Sequence, residues 1–195
     1  MPNARPEHDA DRLPPISIKR VGAKCWKSLR AIRLKSLELD PLAFGSTLAR
    51  ELAYTDSLWI ERTMKYSTSA TDAVWVASCS GALVGTAGIF SHEGSFHMFG
   101  VWVEPAFRGR HIGSMLLDAA IDWMRSSHPS SDLLLGVNPS QASAVTLYLS
   151  RGFAFTGSEE PLSHTPGQVV KEMRLDARTS SKGSCAGAAG NDQTV

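Results

Sequence analysis

The sequence predicts an α/β protein of the α+β type, with a mixed, mostly antiparallel central sheet of about six to seven strands flanked by helices. Two observations carry this prediction. Short segments with the two-residue period of strands alternate with amphipathic helical segments along most of the chain. The clearest helix, residues 112–125, has apolar side chains at helical spacing and Ser114, Asp118 and Asp122 on the opposite face.

The other elements follow from local signals. Asp40-Pro41 ends the first long helix, because the residue before a proline is pushed out of the helical region. Ser80-Gly81 is typical of a hairpin turn, and Gly152 of a helix end. In chain order we expect a strand at 16–21, helices at 23–39, 47–53 and 57–66, strands at 73–78, 83–90 and 96–103, a helix at 112–125, a strand at 133–137, a helix at 142–151, and strands at 153–156 and 169–175.

Length and composition indicate one globular domain. The chain has 195 residues, 43% hydrophobic and 20% charged, with a formal net charge of +1. We expect a domain at 16–176 between disordered ends at 1–15 and 177–195, where polar and small residues dominate. The near-zero charge argues against a nucleic-acid partner, and no apolar run reaches the ~20 residues of a membrane span.

The N-terminal segment and the cysteine content favour a cytoplasmic protein. The first fifteen residues lack the apolar core of a secretory signal. The three cysteines, Cys25, Cys79 and Cys185, share no close spacing, and their odd number argues against a disulfide framework. We expect a reducing compartment and no metal site.

The most informative segment is residues 101–117, where a strand, a basic glycine-bearing turn and a helix follow one another. This arrangement offers unpaired backbone N–H groups and the positive end of a helix dipole to an anion. Arg108 and Arg110 are expected to add positive charge, so the segment predicts a phosphate site. Neither a P-loop nor a dinucleotide fingerprint is present, which argues against those two classes of nucleotide-binding protein.

Two motifs make the chain similar to the GNAT superfamily of N-acetyltransferases. The first, [Gln/Arg]-x-x-Gly-x-[Gly/Ala], corresponds to residues 108–113, preceded by Val103-Glu104-Pro105. The second, Val-Asn-x-x-Asn-x-x-Ala-x-x-Leu-Tyr-x-x-x-Gly-Phe, corresponds to residues 137–153. Both stand in the family's order and spacing. The resemblance covers about residues 16–175 and implies the GNAT fold, with acetyl-CoA as the donor and an amine as the acceptor.

The resemblance also implies the residues that bind acetyl-CoA. The N–H groups from Arg108 to Ser114 would hold the pyrophosphate, and the strand edge at 101–103 would pair with the pantetheine arm. His111 and Gln141 stand where the family has glycine and asparagine. The expected binding residues are Val101, Val103, Arg108, Gly109, Arg110, His111, Ile112, Gly113, Ser114, Asn138, Gln141 and Tyr148.

The expected reaction is direct attack of an amine on the thioester. Tyr148 is the candidate acid that protonates the leaving thiolate, because a phenol has a suitable pKa. His97 and Glu93 are the candidate bases, acting directly or through a water. We expect a small-molecule acceptor. The sequence leaves open two alternatives, acetylation of a protein or peptide and a non-catalytic CoA-binding sensor, and it also leaves open whether the chain is a homodimer.

Overall fold

The computed structural model describes residues 14–162 and 164–177, so most of the expected disordered ends lies outside the described residues. The strands are β1 (Ile16–Arg20), β2 (Ala73–Cys79), β3 (Ala82–His92), β4 (Ser95–Val103), β5 (Leu133–Val137), β6 (Ala154–Pro161) and β7 (Val169–Leu175). The helices are α1 (Trp26–Leu39), α2 (Leu48–Leu52), α3 (Asp56–Thr68), α4 (Ile112–Ser127) and α5 (Ala142–Leu149).

The seven strands form one mixed sheet in the order β1-β2-β3-β4-β5-β7-β6. Neighbouring strands in this sheet pair antiparallel, except β4 and β5, which are parallel and connected through α4. This confirms the predicted fold class, a mixed and mostly antiparallel sheet flanked by helices. A parallel pair requires a crossover connection, and the amphipathic helix predicted at 112–125 provides it.

Both faces of the sheet are covered, and β2 shows how the sequence divides between them. Trp75 and Ala77 are buried in the cluster that contains the apolar face of α4. Val74 and Val76 are buried in a second cluster with Leu29 and other residues of α1. Successive strand residues point to opposite faces, so a continuous apolar run such as β2 fits a strand covered on both sides.

The elements differ from the predictions mainly at the C-terminal side. Helix α5 ends at Leu149 rather than at residue 151. Just after it, Gly152 has φ +89°, and the N–H of Phe153 donates to the Tyr148 carbonyl. Strand β6 continues to Pro161 instead of ending at Thr156. Its pairing register with β7 shifts between Phe155 and Glu159, so Gly157, with φ +93°, lies in a bulge of the strand.

The centre of the sheet opens at β4 and β5. These strands pair only from Phe96 with Leu133 to Met98 with Leu135, although both continue further. On its other side, β4 bulges against β3, where Thr86 lies opposite Trp102 and Gly88 opposite Phe99. The second half of β4 therefore leaves its edge toward β5 unpaired, and this edge borders the candidate site.

Candidate functional site

A cavity of about 700 Å³ lies at the unpaired end of β4, between the start of α4 and α5. We call it the strand-end cavity. It brings together Val101 and Val103 from β4, the turn before α4, and Tyr148 from α5. Its other lining residues that were expected to bind acetyl-CoA are Arg108, Gly109, His111, Ile112, Gly113, Ser114 and Gln141. The sequence analysis did not assign Asp40, Phe107, Ser140 or Leu147 to the site, although they also line it.

The turn before α4 presents a row of unpaired backbone N–H groups. The first hydrogen bond of α4 runs from the N–H of Met115 to the His111 carbonyl. Within the described chain, no N–H from Gly109 to Ser114 has a hydrogen-bond partner. Four unpaired N–H groups are usual at a helix start, and the preceding turn extends the row here. This arrangement can bind an anion through the backbone alone.

His111 adopts the left-handed conformation that the turn requires. Its φ is +59° and its ψ is 14°, and it occupies the N-cap position of α4 without a side-chain capping bond. Gly109 has φ +78° in the same turn. Glycine reaches this region without steric cost, whereas histidine reaches it at a cost. His111, which stands where the family has glycine, therefore has a strained backbone, and its N–H remains one of the unpaired groups.

The side chains of Arg108 and Arg110 both contact other parts of the protein. The sequence had instead led us to expect that they add positive charge to the phosphate site. Arg108 forms an ion pair with Asp40 and donates from Nε to the Val103 carbonyl at 3.0 Å. Its backbone N–H donates to the Pro105 carbonyl, so it is not part of the unpaired row. Arg110 donates to the Pro14 carbonyl at 2.8 Å and does not line the cavity. The backbone therefore provides most of the donors.

The loop from β5 to α5 is held by Asn138. This side chain is 4% exposed, and its Oδ1 accepts hydrogen bonds from the N–H and the hydroxyl of Ser140. Its Nδ2 donates to Gln168 Oε1 at 3.1 Å. Asn138 does not itself line the cavity, but it orients Ser140 and Gln141, which do. Its observed contacts are those of a loop-positioning residue.

Tyr148 brings a phenol to the strand-end cavity. Its ring is buried and packs edge-on against Phe153, with centroids 5.9 Å apart. Its hydroxyl has no hydrogen-bond partner among the described residues. Burial raises the pKa of the Tyr148 phenol well above its ordinary value, so the group is protonated throughout the physiological range and is a weaker acid than a free phenol. A buried phenol with an unpaired hydroxyl is suited to donate a proton to a bound group.

A second cavity, of about 490 Å³, lies on the α1 side of the sheet, and we call it the aromatic cavity. Gly100 lines this cavity and its neighbour Val101 lines the strand-end cavity, so consecutive residues at the bulge of β4 border the two cavities. Gly88 allows the approach of Phe99, whose ring lies 2.5 Å from where a β-carbon would stand. The aromatic residues that line this cavity are Tyr54, Trp59, Tyr66, Phe90 and Phe99.

The candidate bases lie at different distances from these cavities. His97 lines neither cavity, but its ring stacks on Phe90 of the aromatic cavity with centroids 5.3 Å apart. Burial lowers the pKa of His97, Glu172 opposes this effect, and His92 adds to it. Glu93 lies in the β3–β4 turn with its side chain 85% exposed, and it lines neither cavity. His97 is therefore closer to the site than Glu93.

Metal-binding clusters and membrane-spanning helices are both absent from residues 14–162 and 164–177. No cluster of three or more histidine, cysteine or acidic side chains is arranged to hold a metal ion there. No helix in that part of the chain is both long and apolar enough to span a membrane.

The fold is similar to those of several solved acetyltransferases. A GNAT family acetyltransferase from Streptococcus pneumoniae matches with a TM-score of 0.73 and 23% identity, over 83% of this chain and 99% of that one. A putative acetyltransferase from Salmonella typhimurium, solved with its cofactor acetyl-CoA, matches with a TM-score of 0.68 and 18% identity, over 90% and 99% of the two chains.

A third structure is a GNAT superfamily phosphinothricin acetyltransferase from Sinorhizobium meliloti in complex with acetyl-CoA. It matches with a TM-score of 0.67 and 17% identity, over 83% of this chain and 88% of that chain. No curated protein sequence matches this chain. The family model for GNAT acetyltransferases matches residues 36–153, which include both motifs, the turn before α4 and Tyr148. The chain therefore belongs to the GNAT family of acetyltransferases.

Proposed function

We propose that this protein is an N-acetyltransferase that moves the acetyl group of acetyl-CoA to a primary amine of a small molecule by direct attack. One observation carries the proposal. The strand-end cavity is lined by Gly109 and residues 111–114, whose backbone N–H groups are unpaired. It is also lined by Tyr148, whose hydroxyl has no partner among the described residues, and by the unpaired edge of β4. An anion site, a strand edge and a proton donor are what binding and cleavage of a CoA thioester require.

The residues present fit acetyl-CoA. The N–H row and the dipole of α4 would hold the pyrophosphate, and His111 contributes its backbone N–H in spite of its side chain. The β4 edge at Val101 and Val103 would pair with the amides of the pantetheine arm, as an added strand does. Gln141 offers an amide at the same cavity, whose size suits a large ligand. Two of the structural neighbours are described with acetyl-CoA.

The chemistry needs one new bond and two proton transfers, one to the leaving thiolate and one from the amine. Acetyl-CoA supplies a thioester, whose carbonyl carbon forms a bond with the amine nitrogen as the carbon–sulfur bond breaks and leaves its electron pair on sulfur. The Tyr148 hydroxyl, which has no hydrogen-bond partner among the described residues, would donate its proton to that thiolate. Backbone N–H groups of residues 101–103 would polarise the thioester carbonyl.

The amine must lose a proton, and His97 is our candidate to receive it through a bridging water. A lowered pKa keeps the His97 imidazole neutral near pH 7 and therefore able to accept a proton. Its stacking on Phe90 connects it to the aromatic cavity, where we expect the acceptor to bind. Glu93 is exposed at the hairpin tip and is the weaker candidate. A cytoplasmic location is consistent with the free thiols of Cys25 and Cys79.

A thiol-release assay tests the proposal. The purified protein is mixed with acetyl-CoA and a panel of small primary amines and of peptides, and free CoA thiol is measured. We expect amine-dependent thiol release and an N-acetylated product for at least one small amine. Faster acetylation of peptides than of any small amine would favour the peptide alternative. Tight CoA binding without turnover of any acceptor would replace the proposal with a CoA-binding sensor.

A further inference from the structure

Some of the polar groups that line the aromatic cavity have ion-pair or hydrogen-bond partners, and others have none. Its two carboxylates are both buried and both paired: Glu51 with Arg33 at 2.8 Å, and Asp72 with Lys65 at 2.8 Å. Arg33 binds both oxygens of Glu51, so this carboxylate has no free charge for a ligand. The acidic side chains of the cavity are therefore unsuited to bind a cationic group or to act as the base.

Two guanidinium groups of the same cavity are left without a carboxylate. Within the described chain, neither Arg50 of α2 nor Arg62 of α3 forms an ion pair. Arg62 lies over the Tyr54 ring at 4.9 Å, which fixes its direction without neutralising its charge. Arg50 is exposed at the edge of the cavity. The cavity thus carries unneutralised positive charge.

A buried donor at the same cavity is also unpaired. Trp59 is 4% exposed, and its indole Nε1, a group that can only donate, has no hydrogen-bond partner. The buried hydroxyl of Ser46 likewise lacks a partner. An unsatisfied buried donor is costly, and most proteins pair such groups with protein, water or ligand. Trp59 and Ser46 both line the cavity, although these two atoms are themselves closed off from solvent.

We propose that the amine acceptor carries a carboxylate, which Arg62 and Arg50 bind in the aromatic cavity. This inference rests on the proposed function, and it names the substrate class of the same site. The remaining walls are apolar or aromatic, with Phe90 and Phe99 next to the β4 bulge, so an apolar group between the amine and the carboxylate fits. The same charges disfavour polycationic amines.

Matched pairs of acceptors test the inference. The panel comprises α-amino acids with aromatic and aliphatic side chains and ω-amino acids, each beside its carboxamide, which keeps the amine and removes the charge. Thiol release from acetyl-CoA is measured for wild type, Arg62→Gln and Arg125→Gln. Arg125 is an exposed α4 residue that lines neither cavity, so its variant is the matched control.

We expect kcat/KM to be at least about tenfold higher for a carboxylate acceptor than for its carboxamide, because a charged hydrogen-bonded pair contributes that much to binding. Arg62→Gln removes this preference by raising KM for the carboxylate, with little change in kcat or in the carboxamide kinetics. Arg125→Gln leaves the preference intact. Equal or better use of carboxamides, or an equal loss on both acceptors in Arg62→Gln, overturns the inference.

A failure of the proposed function can be distinguished from a failure of this inference. If the protein binds CoA but turns over no acceptor, the enzyme proposal fails, and titration calorimetry of the same pairs on the CoA-saturated protein decides the inference. Tighter binding of carboxylates than of carboxamides, lost in Arg62→Gln, supports the carboxylate site. Absence of that preference overturns it.

Discussion

The indole Nε1 of Trp102 donates a hydrogen bond to Oδ2 of Asp40 at 2.7 Å, and the same carboxylate forms the ion pair with Arg108. Asp40 follows α1 directly, Trp102 lies in the second half of β4, and Arg108 belongs to the turn before α4. One side chain thus joins three segments that border the strand-end cavity. Trp102 is 4% exposed, so its N–H depends on this acceptor.

Asp40→Ala is expected to lower the free energy of unfolding by about 1–3 kcal/mol, because it leaves the buried Trp102 N–H unsatisfied. The half-exposed ion pair with Arg108 adds little to this loss. Asp40→Asn keeps an oxygen acceptor and should retain most of the stability. Urea denaturation measures both, with Asp122→Ala on the exposed face of α4 as the control. A loss for Asp40→Ala no larger than that of the control would contradict this role of Asp40.

His111→Gly is expected to raise the free energy of unfolding by about 0.5–1 kcal/mol. The left-handed conformation at φ +59° costs an L-residue about 1–2 kcal/mol, and the greater flexibility of glycine in the unfolded chain cancels part of the gain. CoA affinity should be retained, because the backbone N–H remains. His111→Ala keeps the strain and should give no gain. Equal stabilisation by alanine would show that the imidazole, rather than the backbone angle, is the source of the cost.

Tyr148→Phe is expected to lower kcat by about 10²-fold or more, which is the usual contribution of a positioned general acid. The hydroxyl has no hydrogen-bond partner in the described chain, so folding and CoA binding should be retained. Steady-state kinetics across pH, calorimetry with CoA and thermal unfolding check these three outcomes. An unchanged kcat at every pH would rule out Tyr148 as the proton donor.

The pH dependence of the reaction is expected to report His97. The pKa of His97 is lowered from the ordinary 6.5 of histidine. We therefore expect kcat/KM to fall as the pH decreases through the pKa of His97, because the base becomes protonated. His97→Gln should abolish this acidic limb. His92→Gln should move the limb to higher pH and Glu172→Gln to lower pH, because His92 lowers the pKa of His97 and Glu172 raises it. An acidic limb that persists in His97→Gln would assign the base to another group.

Local patterns were enough to predict the fold and the turn before α4 whose N–H groups are unpaired. The amphipathic pattern of α4, the apolar run of β5 and the alternation of β7 lie within single segments, and the predicted bounds agree with the structure there. The predicted strand β6 ended at residue 156 and was too short. In the structure, pairing with β7 carries the strand through a bulge at that point.

Long-range pairing was beyond the reach of the sequence. Arg108 seemed free to meet a phosphate because its partner, Asp40, stands 68 residues earlier in the chain. The aromatic cavity likewise depends on α2 and α3 meeting β3 and β4, so the unpaired Arg50 and Arg62 could not be distinguished from the paired Arg33. Which charges cancel is decided by tertiary contacts and not by local patterns.

The central claim is that the backbone N–H groups from Gly109 to Ser114 hold the phosphates of CoA, and an NMR titration of the ¹⁵N-labelled protein tests it most directly. With CoA, the largest amide shifts should lie in residues 109–114. With pantetheine, which lacks the phosphates, these amides should stay nearly unchanged while those of residues 101–103 move. Saturable CoA binding that leaves the amides of residues 109–114 in place would contradict the claim.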